Sequence, residues 1–208
     1  MSPLPDKSQK PGQGVRRILI VDDEPTLRFG FAYALTDSET VTDTASNGSE
    51  ALERLDEVAY DAIVLDLRMP EIDGLAVIER MRFNGNMTPV ILCSAFITLH
   101  SALLAIRHQV ADFLMKPVKP MELRKAVAGA LGNESSRLGD ALGAVRTGEF
   151  DEAIDILGSQ RGSAMCDCEI AWLRVLSSLR SNRFDVQKTE SEIEDPLIDS
   201  LVVQCERT

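Results

Sequence analysis

Asp22 and Asp23, Asp66, Ser94 and Lys116 each stand just past a short hydrophobic run, and together they describe a pocket for a metal ion and a phosphoryl group. The runs are Ile18-Leu19-Ile20-Val21, Ala62-Ile63-Val64-Leu65, Val90-Ile91-Leu92-Cys93 and Asp112-Phe113-Leu114-Met115. Short aliphatic runs separated by helical stretches read as buried parallel strands. Residues beyond the carboxyl ends of such strands meet in one crevice. Three carboxylates there would repel one another, and a divalent cation relieves that repulsion. Magnesium prefers octahedral oxygen coordination, commonly from one or two carboxylates plus waters and phosphate oxygens. Asp23 and Asp66 can supply the carboxylates, and Asp22 can hold a bound water. An aspartate can also act as a nucleophile toward phosphorus, giving an aspartyl phosphate. The cation and Lys116 would neutralise charge on the phosphoryl oxygens, and the Ser94 hydroxyl could donate a hydrogen bond to one of them. Carried on a loop, that hydroxyl can move to do so, which makes Ser94 a candidate switch.

The elements that must position these groups alternate along the chain. Strands are predicted at Arg17–Val21, Glu39–Ala45, Tyr60–Leu65, Pro89–Cys93 and Ala111–Met115. Helices are predicted at Pro25–Thr36, Ser49–Glu57, Gly74–Phe83, Leu99–Arg107 and Pro120–Leu131. Pro25 suits a first helical turn, and Asn47-Gly48 opens the second helix. Five strands alternating with five helices imply a doubly wound α/β sheet covered on both faces. Residues 1–14, rich in Pro and Gly among polar side chains, read as a flexible tail.

After Gly132 the strand pattern stops. Helices are predicted at Ser136–Thr147, Asp151–Gly158, Cys168–Ser181 and Asp185–Glu194, followed by an apolar piece, Pro196–Cys205. Leu142-Gly143-Ala144-Val145 and Gly148-Glu149-Phe150-Asp151 align with Leu176-Ser177-Ser178-Leu179 and Asn182-Arg183-Phe184-Asp185 at a 34-residue offset. That is the tetratricopeptide period, in a degenerate form. Two such repeats bury little surface alone and would need to pack on the first domain or on a second subunit. The organisation expected is a tail (1–14), an α/β domain (15–132) and an α-helical region (133–208).

With 208 residues and 44% hydrophobic content the chain can bury a real core. A formal charge of −11 disfavours broad contact with a nucleic-acid backbone. From Asn133 onward eight Lys and Arg face fifteen Asp and Glu, a net of −7, which suits protein partners or a homodimer better than DNA. The apolar stretches are far shorter than a bilayer span and Met1–Gly14 lacks a signal-peptide core, so no membrane contact and a cytoplasmic protein are expected. Cys166 and Cys168, even with Cys205, lack the paired spacing of zinc sites and read as reduced structural thiols.

Residues 16–132 resemble the receiver domain of bacterial two-component response regulators. The resemblance rests on Val21-Asp22-Asp23-Glu24-Pro25, Asp66-Leu67-Arg68-Met69-Pro70 with Asp73-Gly74, Ser94-Ala95, and Phe113-Leu114-Met115-Lys116-Pro117, in order and at strand ends. The stretch 102–127 is similar to receivers of the nitrogen-regulation activator type. The resemblance implies a flavodoxin-like (βα)5 sheet of order 2-1-3-4-5. It also implies that Asp66 is the phosphoacceptor, served by a histidine kinase or a histidine phosphotransfer protein. Asp23, Asp66 and the backbone carbonyl of Arg68 would bind Mg2+ directly, with Asp22 acting through water. Ser94 and Phe113 would be the switch pair, with Phe113 rotating inward, and Lys116-Pro117 would be cis. Arg68 and Phe96, two residues beyond Asp66 and Ser94, would shield an acyl phosphate from water and slow self-dephosphorylation.

Two bland alternatives stand beside these assignments. Asp22 and Asp23 could cap a helix before Pro25, and Phe113 could be plain core. Haloacid dehalogenase-like phosphatases share a strand-end nucleophile but require an acid two residues on, where this chain has Arg68. The remaining rivals are a phosphorylation-independent scaffold that keeps only the fold, and a regulator whose tail binds DNA. The output partner expected is a protein.

Overall fold

The structure, a computed structural model, describes residues 14–95, 99–132, 137–147 and 149–158. The first thirteen residues, Phe96, the three cysteines of the tail, the later helices and the second repeat copy lie outside the described residues. Five parallel strands form one sheet: β1 (Arg16–Val21), β2 (Thr40–Ala45), β3 (Ala62–Asp66), β4 (Val90–Ser94) and β5 (Asp112–Met115). Their order is β2-β1-β3-β4-β5. Helices α1 (Pro25–Leu35), α2 (Gly48–Glu57), α3 (Gly74–Phe83), α4 (Leu99–Arg107) and α5 (Pro120–Ala130) connect and flank them. This is the doubly wound arrangement that the alternation of elements predicts.

Alternate side chains along a strand point to opposite faces, so each strand feeds two cores. Leu19, Val21, Ile63, Leu65, Leu92 and Phe113 pack beneath α2, α3 and α4. Ile18, Ile20, Val64, Ile91 and Cys93 pack beneath α1 and α5. The thiol of Cys93 is wholly buried, and burial pushes its pKa far above the usual cysteine range, as befits a small hydrophobe.

Two strands run one residue further than expected and take Asp66 and Ser94 into the ladder. Asp66 pairs with Cys93 and Ser94 with Met115. The pairing holds because the ladder continues beyond them: Leu67 N–H donates to the Cys93 carbonyl at 2.8 Å, and Lys116 N–H to the Ser94 carbonyl at 2.7 Å. Ser94 is therefore a buried strand-end residue, 1% exposed, rather than a loop residue.

Two further helices follow, α6 (Arg137–Arg146) and α7 (Phe150–Gly158). Thr147 and Glu149 N–H both return to the Ala144 carbonyl and close the turn between them. Among the described residues no helix is long and apolar enough to cross a membrane.

The start of α2 is fixed by its own side chains. Asn47 accepts from Glu50 N–H at 2.9 Å, and Glu50 accepts from both Ser46 N–H and Ser46 Oγ at 2.8 Å. The Ser46 backbone bond, then the bond from Arg54, hold the Glu50 carboxyl at about 2, against an ordinary 4.5. A carboxyl lowered on folding adds stability above its unfolded pKa and loses it as pH falls toward the folded value. Glu50→Gln is therefore expected to lower the urea midpoint at pH 7, with the deficit shrinking between pH 4.5 and pH 3. Paired denaturation curves at the three pH values check this.

Candidate functional site

The register places the ends of four strands at one level, because Val21 pairs with Leu65, Asp66 with Cys93 and Ser94 with Met115. Past those ends lies a cluster of charge. The carboxylate oxygens of Asp22, Asp23 and Asp66 lie within 4.8 Å of one another. Lys116 Nζ stands 2.8 Å from Asp22 Oδ2 and 3.0 Å from Asp66 Oδ2. Asp22 and Asp66 are buried and Asp23 is exposed, so the cluster opens to solvent on the Asp23 side.

The electrostatics follow from this burial. Asp66 titrates above the usual aspartate range because burial penalises its charge; Lys116 pulls it back and the neighbouring Asp22 pushes it up again. For Lys116 burial acts downward, and the hydrogen bonds from its ammonium to Asp22 and Asp66 outweigh that, leaving it above the ordinary lysine value. One ammonium against three carboxylates leaves the cluster net negative. The donor set is all oxygen, which suits a hard divalent cation such as Mg2+.

The capping alternative for the first pair fails on geometry. The residue before α1 is Glu24, which makes no side-chain cap bond. Asp22 Oδ1 instead accepts Glu24 N–H at 2.9 Å, shaping the loop that presents Asp23. Arg68, two residues after Asp66, is exposed between the buried Leu67 and Met69, and its N–H donates to Asp66 Oδ1 at 3.4 Å. Phe113 is fully buried in the core beneath α4. The Lys116-Pro117 bond is cis.

Three residues that sequence reasoning did not assign to the site help to build it. Arg28, at the close of the first turn of α1, donates from Nη1 to the Asp22 carbonyl at 2.6 Å. Gly74, at the start of α3, lies so close to β3 that a Cβ there would run into the Asp66 carbonyl. Gly48, at the start of α2, sits likewise against the backbone of Ile72 in the β3–α3 loop. Asp73-Gly74 read as a turn and a helix start, and Asp73 does cap α3, accepting Ala76 N–H at 2.8 Å. The glycine beside it carries the closer constraint.

A parallel five-stranded sheet with an acid cluster and a lysine at its carboxyl edge marks a doubly wound α/β domain with a charged site at its strand ends. Residues 18–128 match the response regulator receiver domain, over half of the chain, and the chain belongs to that family. It is 38% identical over 125 residues to the regulatory protein AtoC of Escherichia coli, covering 59% of this chain and 27% of AtoC. It is 34% identical over 165 residues to the alginate biosynthesis transcriptional regulatory protein AlgB of Pseudomonas putida, covering 79% of this chain and 36% of AlgB. The chain thus spans about a third or less of the length of these two relatives. Among solved structures it is similar to the receiver domain of the Francisella response regulator 1452, with TM-score 0.53, 27% identity, and 56% of this chain and 97% of that one covered. Such receivers act in phosphorelay signalling, and this chain carries one over residues 18–128.

The glycine contact gives a direct test. Gly74→Ala must push α3 away from β3 or shift the Asp66 backbone, at a cost of about 1–3 kcal/mol typical of overpacking. The expected outcome is a lower denaturation midpoint together with impaired uptake of a phosphoryl group from acetyl phosphate. Wild-type behaviour in both measurements would show that the approach is slack.

Proposed function

We propose that this chain receives a phosphoryl group on Asp66 from a sensor histidine kinase or a histidine phosphotransfer protein and passes that state to a protein partner through its helical region. The observation that carries the reading is the placement of Lys116 Nζ at 2.8 and 3.0 Å from Asp22 and Asp66, with Asp23 in the same cluster. In the transfer, an Asp66 oxygen attacks phosphorus, the P–O bond forms as the P–N bond of the phosphohistidine breaks, and the imidazole leaves. Lys116 holds the Asp66 carboxylate in place and offers its positive charge to the incoming oxygens. Asp23, Asp66 and the Arg68 carbonyl would hold Mg2+, with Asp22 acting through water. The ion supplies positive charge to the phosphoryl oxygens.

Ser94 and Phe113 are the residues we assign to the switch. Ser94 stands at the end of β4 beside the cluster, and Phe113 lies in β5, three residues before Lys116. The receiver is taken as residues 15–132 and the output region as 133–208. A protein partner is favoured over DNA by the net charge of −7 in that region. A transcriptional output has one observation on its side, the name of AlgB as a transcriptional regulatory protein.

The test is intact mass after incubation with acetyl phosphate and magnesium. Wild type should gain the mass of one phosphoryl group, and Asp66→Ala should gain none; equal labelling of both would refute the assignment. In the same assay Arg68→Ala is expected to shorten the lifetime of the acyl phosphate, since the long side chain screens it from water. An unchanged lifetime would remove Arg68 from that role.

A further inference from the structure

Arg28 stands where a lone helix would not choose a cation. It is the fourth residue of α1, set against the helix macrodipole, and its side chain turns back toward the helix start. Its Nη1 donates to the Asp22 carbonyl at 2.6 Å, a charge-assisted and therefore strong bond. That carbonyl lies in the peptide plane that also carries the Asp23 N–H, so the bond fixes the plane from which Asp23 hangs. Asp22 is secured in other ways as well: Lys116 Nζ lies 2.8 Å from its Oδ2, and Glu24 N–H donates to its Oδ1 at 2.9 Å. Asp23 has no such hold. It is the exposed member of the acid cluster, and among the described residues no hydrogen bond or ion pair reaches its carboxylate. Its aim is set by its backbone, and Arg28 pins that backbone.

We infer that Arg28 is a positioning residue that tilts the acid cluster toward a small divalent cation and away from a large one. The inference rests on the metal-binding part of the reading above. Mg2+ demands near-ideal octahedral geometry with ligands at about 2.0–2.1 Å, whereas Ca2+ accepts irregular shells at about 2.3–2.6 Å. A carboxylate hung from a fixed peptide plane suits the first ion, and one that swings loses that advantage. Among the described residues Arg28 pairs with no carboxylate, so it acts on the ion through the peptide. Its charge alone would work the other way. A guanidinium beside three acids weakens their pull on every cation, and its removal would tighten Mg2+ and Ca2+ together. Water and salt screen that effect on the open Asp23 side, whereas losing an outer-shell partner commonly costs metal affinity roughly ten- to a hundredfold. The positioning effect therefore dominates.

The test titrates magnesium and, separately, calcium into the metal-free full chain. Backbone amide signals of residues 22–24 and 66–68 in two-dimensional NMR give the two dissociation constants. In Arg28→Met, which keeps the stem and loses donor and charge, the magnesium constant should rise on the order of tenfold, while the calcium constant changes far less. Arg28→Lys, which keeps the charge and carries a donor of shorter reach, should recover part of the magnesium affinity. Tighter binding in Arg28→Met, or an equal loss for both ions, overturns the positioning role and leaves the metal site standing. A wild type whose cluster signals answer neither ion overturns both.

Discussion

Confinement of negative charge at the carboxyl edge of the sheet is the constraint around which the domain is arranged. Two of the three clustered carboxylates are buried, and one ammonium stands between them. Burying charge without full compensation is costly, and the raised Asp66 pKa expresses that cost. The same shortage of positive charge, with a donor set that is all oxygen, suits the cluster to a hard divalent cation. Lys116 prevents the acids from flying apart, and it is too little to neutralise them.

The frame that holds this cluster is made of close backbone approaches as much as of side chains. The ladder carries Asp66 and Ser94 to fixed depths, Gly74 lets α3 rest on the Asp66 carbonyl, and Gly48 lets α2 rest on the following loop. Arg28 fastens the Asp22 carbonyl from the outside. Each of these contacts sets the position of a group that carries charge, so small displacements of the frame translate into changes of electrostatic energy.

Most of this was legible in the sequence because buried parallel strands announce themselves as apolar runs, and polar residues that interrupt such runs demand a reason. Asp22, Asp66 and Lys116 could be placed on that ground alone. The strand order followed from resemblance, since nothing in a run of Val and Ile says which neighbour it will find. The roles of Gly48, Gly74 and Arg28 were hidden because they depend on what lies across the fold, and a glycine that opens a helix looks the same whether or not a backbone passes beside it. The loop expected around Ser94 failed for a related reason: the ladder extends by one residue only when β5 is there to receive it. Packing of the helical region on the first domain was one of two expectations and α6 does pack there, but its place on α4 and β5 was out of reach, since an amphipathic helix shows that it has an apolar face and not what covers it.

The balance of charge is most directly tested by the melting temperature of the metal-free chain as magnesium is added. A cation that binds the folded cluster and not the unfolded chain stabilises by mass action. The account predicts a melting temperature that climbs with magnesium through the millimolar range in the wild type and stays flat in Asp66→Asn. A flat wild-type curve, or an equal rise in the variant, would contradict it.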